Sequence, residues 1–386
     1  MQRTFLARSA GVSRFVYNWA CARWSDQSEA RKSNNSIPKP SPISLEHELQ
    51  RIKPERYPWM SEVSACIPHE AIVDLGRAFV RYYQGKSAYP SYHKKGIRDS
   101  FRLSRGFFQV DGNRLFLPEI GWVRMHEEIR FPLSSVFSVT ISRSADRWFA
   151  SFACRIAQPQ RRGAPDAGNK TIGIDVGVHE FVCSNGVRYP VPRVYRGTEK
   201  ALRRACRSVA RKEKGSANYQ KQKMKIARLY RRIADIRADW LHKTSTEIVL
   251  QNAVIGIEDL DVASMKLNRC LAKSVSDAAF SEFIRQVKYK AEEVGHIVVV
   301  ADKYFPSSKL CSECGAVASH LRLDQREWVC PSCETVLDRD LNAAINLSRY
   351  AARSAVSACG EFLTSGETEM LHQVSSVKQE PISNPA

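Results

Sequence analysis

Four cysteines stand at C-x2-C-x15-C-x2-C spacing, Cys311 and Cys314 in CSECG and Cys330 and Cys333 in CPSC. Thiolates at that interval close around one tetrahedral ion and leave no open position, so they predict a single structural Zn²⁺ that folds a ribbon and does no chemistry. Seven residues past the last thiol lies Asp340, in DRDLNAAIN, an acidic turn that opens a helix. Two further acids, Asp175 in TIGIDVG and Glu258 in IGIEDL, each close an apolar run where a strand passes from the core to a sheet end. Taken singly, each acid reads more simply as a solvated turn or a cap. Taken together, three carboxylates from separated elements can converge at one sheet edge, and such hard oxygen donors suit Mg²⁺. Two Mg²⁺ ions about 4 Å apart would activate a water and stabilise the leaving oxygen of a phosphodiester.

The charge balance asks for a polyanionic partner. The 386 residues carry a formal +19 with pI near 9.6, and the 43% hydrophobic content is that of a folded globular chain with room for two or three domains. The excess is clustered: residues 196–232 hold fourteen Lys/Arg against two Glu, which is +12 of the +19. That is too one-sided for a solvated, salt-bridged hairpin. Arg203, Arg204, Arg207, Arg211, Lys221, Lys225 and Arg228 are its nucleic-acid-binding candidates, joined by Arg77 and Arg81 on a helix that also carries Tyr82 and Tyr83. The other seven cysteines are scattered singly, which argues for a reducing compartment. No run of about 18 apolar residues and no signal-peptide core occurs, so the expectation is a cytoplasmic protein with no membrane partner.

The elements that must position these residues follow from periodicity. Residues 13–33 read as a helix with Phe15, Trp19 and Ala22 on its apolar side, and residues 45–86 as two more. From 88 to 157 the pattern becomes alternating, with turns at Asp111-Gly112-Asn113 and Ser144-Ala145-Asp146, which predicts an antiparallel β subdomain closed as a small barrel. Residues 158–170 read as a linker. Thereafter strand, Asn185-Gly186 hairpin, basic helical segment, strand, a helix capped at Ser276-Asp277 and another strand make an α/β plan with a mixed sheet. Residues 357–386, with four Glu and one Lys, read as a disordered tail.

TIGIDVG, IGIEDL, the CSECG/CPSC ribbon and DRDLNAA, in that order behind RFVYNWA, resemble the transposon-encoded TnpB (OrfB) proteins and their relatives, the miniature type V CRISPR effectors. The resemblance spans nearly the whole chain. It implies a RuvC-like (RNase H-type) nuclease domain with an inserted zinc ribbon, preceded by a wedge β-barrel with an inserted helical recognition domain. On that plan residues 1–12 are a partial wedge segment, 13–87 the recognition domain, 88–157 the wedge barrel, 171–305 RuvC motifs I and II, 306–335 the ribbon and 336–356 the motif III helix. Asp175, Glu258 and Asp340 match the RuvC acids, with Asp338 outside the triad. The implied activity is RNA-guided, Mg²⁺-dependent DNA cleavage. Its partners would be a guide RNA from the transposon end and a DNA target, double- and single-stranded, bound by a monomer or dimer. Residues 1–12 depart from the family's usual opening strand, which bears on RNA binding more than on chemistry. Two other readings are a nuclease-inactive guided repressor and an accessory protein of transposition. A strand-transferring transposase of the tyrosine type would need an HxH metal motif, and the chain has none.

Overall fold

The computed structural model describes residues 2–97, 99–155, 170–318, 321–322 and 325–364. The chain divides into two compact units, residues 1–157 with 212–231, and residues 158–211 with 232–386. The expected linker lies almost wholly outside the described residues, as do residues 365–386 of the expected tail.

In the first unit, α1 (Gln2–Ser33), α2 (Pro42–Arg56) and α3 (Cys66–Tyr83) share one core with β1 (Ser100–Ser104), β2 (Gln109–Asp111), β3 (Arg114–Leu117), β4 (Gly121–Arg124), β5 (Val136–Ser144) and β6 (Arg147–Cys154). Val16, Leu75 and Val139 are each fully buried in it, and Trp24 stacks on Phe79 at 4.3 Å. Three expectations change. Helix α1 starts at Gln2, so residues 2–12 extend the helix and supply no wedge strand. Its buried face is Val12, Val16, Ala20 and Trp24, while Phe15 and Trp19 sit at the margin. The strands form two three-stranded antiparallel sheets, β1-β5-β6 and β2-β3-β4, in place of one closed barrel.

The second unit is built on a five-stranded sheet. Its strands are β7 (Thr171–Val176), β8 (Glu180–Cys183), β9 (Arg188–Pro190), β10 (Val254–Glu258) and β11 (Ile297–Ala301), ordered β9-β8-β7-β10-β11. The first three run as antiparallel neighbours, and β7, β10 and β11 are parallel. Between β9 and β10 come α4 (Val194–Ala210) and the 35-residue α5 (Ala217–Gln251), whose residues up to Arg231 group with the first unit. Then follow α6 (Val262–Leu267), α7 (Ala272–Ala278) and α8 (Phe280–Val294). The expected cap at Ser276-Asp277 is absent, because Ala279, with φ +52°, breaks the chain into α7 and α8. After β11 come the ribbon hairpin β12 (Glu327–Val329) and β13 (Val336–Asp338), and α9 (Arg339–Thr364), which carries the helix eight residues into the segment expected to be tail.

Helix α9 lies directly on the sheet because two glycines admit it. Gly173 on β7 and Gly256 on β10 are register partners. A Cβ at Gly173 would stand 2.0 Å from the Ala344 carbonyl oxygen, and one at Gly256 would stand 2.4 Å from that of Leu347. The helix answers with its own small residues, Ala343, Ala344, Ala351 and Ala355, all buried.

Candidate active site and zinc centre

Parallel pairing of β7 with β10 matches Ile174 to Ile257, so the next residue of each strand, Asp175 and Glu258, ends side by side at one sheet end. Asp340, in the first turn of α9, is carried to the same place by the close seating of that helix on the sheet. Burial pushes the Asp175 carboxyl well above the usual carboxylate range, and the charges of Glu258 and then Asp340 push it further, against weaker relief from Arg339 and Arg326. Three carboxylates brought to one sheet end, one of them buried, are chemically suited to a divalent ion. Their oxygens do not all lie within 4.8 Å of one another, however. Among the described residues, the four cysteines are the one donor group whose ligand atoms all lie within 4.8 Å of each other.

Each acid is held. Glu258 Oε1 accepts a hydrogen bond from Ser307 Oγ. Asp340 Oδ2 is paired at 2.7 Å with Arg326 of the ribbon. Asp338 does different work: its Oδ1 accepts from the Leu341 backbone N–H at 2.8 Å, capping α9, and its Oδ2 pairs with Arg188 at 3.0 Å.

The four thiols fit a zinc ion. Cys311 Sγ stands 3.7 Å from Cys333 Sγ and Cys314 Sγ 3.5 Å from Cys330 Sγ, against a tetrahedron edge of roughly 3.8 Å for Zn–S bonds of about 2.3 Å. The two CxxC turns are built alike: Gly315 N–H bonds to the Cys311 carbonyl and Glu334 N–H to that of Cys330, both at 3.0 Å, with φ of +77° and +57°.

Sequence reasoning missed three supports. Asn342 and Asn346, one turn apart on α9, hold the root of the ribbon. Asn342 accepts from Ser312 N–H at 2.8 Å and donates to the Leu310 carbonyl at 2.8 Å, while Asn346 donates to the Ser307 carbonyl at 2.8 Å. Two amides at helical spacing in an alanine-rich helix were the available signal. Asp277, 4% exposed, caps the N-terminus of α4 from α7, accepting from Tyr195 and Arg196 N–H, and pairs with Arg237 at 3.2 Å. Ser307 gave no signal at all.

The basic candidates are all exposed and lie on helices of both units. Arg203, Arg204 and Arg207 line α4, which buries only Leu202 and Ala205, and Arg211 is its C-cap. Lys221, Lys225 and Arg228 lie on the part of α5 that groups with the first unit, where Arg228 pairs with Asp146 at 2.9 Å. Arg77 and Arg81 lie on α3, Arg77 paired with Asp74 at 3.2 Å and Arg81 beside exposed Tyr82 and Tyr83.

A mixed sheet in this strand order, with acids at neighbouring strand ends and a four-cysteine ribbon leading into the last helix, defines a RuvC-like fold carrying a zinc-ribbon module. The solved Cas12f1–sgRNA–target DNA complex has a similar fold, with TM-score 0.54 and 15% identity over 90% of this chain and 83% of that one. The OrfB_IS605 family model, described as "Probable transposase", matches residues 151–269. The model "Cas12f1-like, TNB domain" matches 280–347 and "Helix-turn-helix domain" matches 1–33. In this chain that last stretch is one continuous helix. A "Putative RNA-guided DNA endonuclease" of Streptomyces pristinaespiralis is 37% identical over 98% of this chain and 93% of its own length. "Putative RNA-guided DNA endonuclease InsQ" of Escherichia coli is 32% identical over 98% and 94%. The chain belongs to the OrfB (TnpB) family of transposon-associated proteins.

Proposed function

We propose that this protein is an RNA-guided DNA endonuclease that hydrolyses phosphodiesters at Asp175, Glu258 and Asp340. The observation that carries the reading is the set of three acids from β7, β10 and α9 gathered at one sheet end, with Asp175 pushed up by burial and by the other two. Its relatives' names point the same way. Asp175, Glu258 and Asp340 would hold Mg²⁺, which when bound supplies an activated water and charge for the leaving oxygen. Ser307 orients Glu258, Arg326 balances Asp340, and the four thiols hold one structural Zn²⁺. The helices and sheets of the first unit would take the recognition and wedge roles, and α4 and α5 would offer their cations to a guide RNA paired with DNA.

The test is to sequence RNA copurifying with the protein and to challenge that complex with matching duplex DNA in Mg²⁺ and in EDTA. RNA from the adjacent transposon end and metal-dependent cutting are expected. Random RNA together with intact DNA in Mg²⁺ would refute the proposal.

A further inference from the structure

A cleft of about 380 Å³ opens beside the acids, with Glu258 in its wall and Tyr304, Lys303 and Lys309 around it. That is room for one small ligand. Tyr304 is 90% exposed, the most exposed of the large apolar side chains among the described residues. An exposed Tyr on a loose loop would mean little, but this loop is fastened on both sides of it. Phe305 packs on Tyr350 of α9 with ring centroids 4.9 Å apart, and the Tyr350 hydroxyl donates to Asp302 at 2.9 Å. Asn346 holds the Ser307 carbonyl, and Ser307 in turn holds Glu258. The loop therefore fixes an outward ring relative to a catalytic candidate, with two exposed lysines, Lys303 and Lys309, on the same cleft.

A flat ring beside ammonium groups, next to a site for phosphodiesters, matches an unpaired nucleotide. The base supplies a face for stacking and the phosphate a charge for lysine. A paired base, already stacked within a duplex, would gain little from the ring. We propose that this cleft is a subsite for a single unpaired nucleotide flanking the scissile phosphate, its base stacked on Tyr304 and its phosphate held by Lys303 and Lys309. This rests on the nuclease reading above.

The test uses the RNA-loaded full-length protein, with Ca²⁺ replacing Mg²⁺ to keep DNA uncut, and single-stranded oligodeoxynucleotides carrying 2-aminopurine at successive positions. Wild type and Tyr304→Phe should quench fluorescence at one position, and Tyr304→Ala should not. In Mg²⁺ at saturating DNA, Tyr304→Ala should cut about tenfold more slowly, with Tyr304→Phe near wild type. Undiminished quenching in Tyr304→Ala, or quenching at no position, overturns the subsite whether or not cleavage occurs. Tyr304-dependent quenching by a protein that cuts no matched target would instead support the subsite and refute the nuclease reading.

Discussion

At the scale of single residues, Asp175 does opposite things for stability and for chemistry. Asp175 has a raised carboxyl pKa in the fold, from burial first and from Glu258 and Asp340 next, so its ionised form is worse off folded than unfolded. That penalty is absent below the unfolded-state value of about 3.9, grows as pH rises, and is complete above the folded-state value. Asp175→Asn should therefore raise the melting temperature of the metal-free protein at pH 7, by about 2–4 °C per kcal/mol relieved, and the gain should fade on acidification toward pH 4. The same variant should lose cleavage by orders of magnitude. A thermal series from pH 4 to 8 beside a cleavage time course checks both. Asp338 and Asp340 separate in another way. Asp340→Ala should abolish cutting with target binding nearly intact, because binding is spread over many cations and base pairs. Asp338→Ala should keep most activity but lose about 1 kcal/mol with the α9 cap, and Asp338→Asn should recover that loss. Denaturant titration together with single-turnover cleavage distinguishes the pair, and loss of activity confined to Asp338 variants would reassign the third acid.

At the scale of elements, the site depends on how α9 is seated. Gly173→Ala or Gly256→Ala would set a methyl against the backbone of α9, with nothing flexible to give way. Overpacking of this kind typically costs about 1–3 kcal/mol, and here it also moves Asp340 away from Asp175. Chemical denaturation should show the loss, and cleavage should fall by more than the unfolded fraction accounts for. The ribbon is the other dependent element. Its own core is small, with Trp328 and Leu337 beside Cys311 and Cys330, so a bound metal would supply much of its folding energy. Metal analysis should return one zinc per chain. Stripping it should disorder residues 311–333, release Arg326 from Asp340 and stop cleavage, while the sheet of the second unit stays folded by circular dichroism.

At the scale of the whole molecule, the +19 charge sets the affinity for polyanions and its dependence on salt. Replacing Arg203, Arg204, Arg207 and Arg211 together by Gln should flatten the slope of log affinity against log salt by about 3, since each phosphate contact contributes roughly 0.7–0.9. Filter binding of the guide RNA across a salt series measures this, and an unchanged slope would remove α4 from the interface. How much was legible beforehand depended on whether a signal was local. The cysteine spacing, the acids ending apolar runs and the one-sided charge of residues 196–232 are short-range patterns, and the four thiols, the strand ends and the exposed basic helices stand where those patterns indicated. What only the tertiary structure decided involves partners far apart in sequence. Gly173 is small because of Ala344 and Ser348, and Asp277 is buried because it caps a helix that begins some eighty residues earlier. The extent of α1, the two open sheets in place of a barrel, and the division of α5 between two units were likewise set by packing. A contact made across the fold leaves no periodicity along the chain, so those residues looked ordinary until the chain was folded.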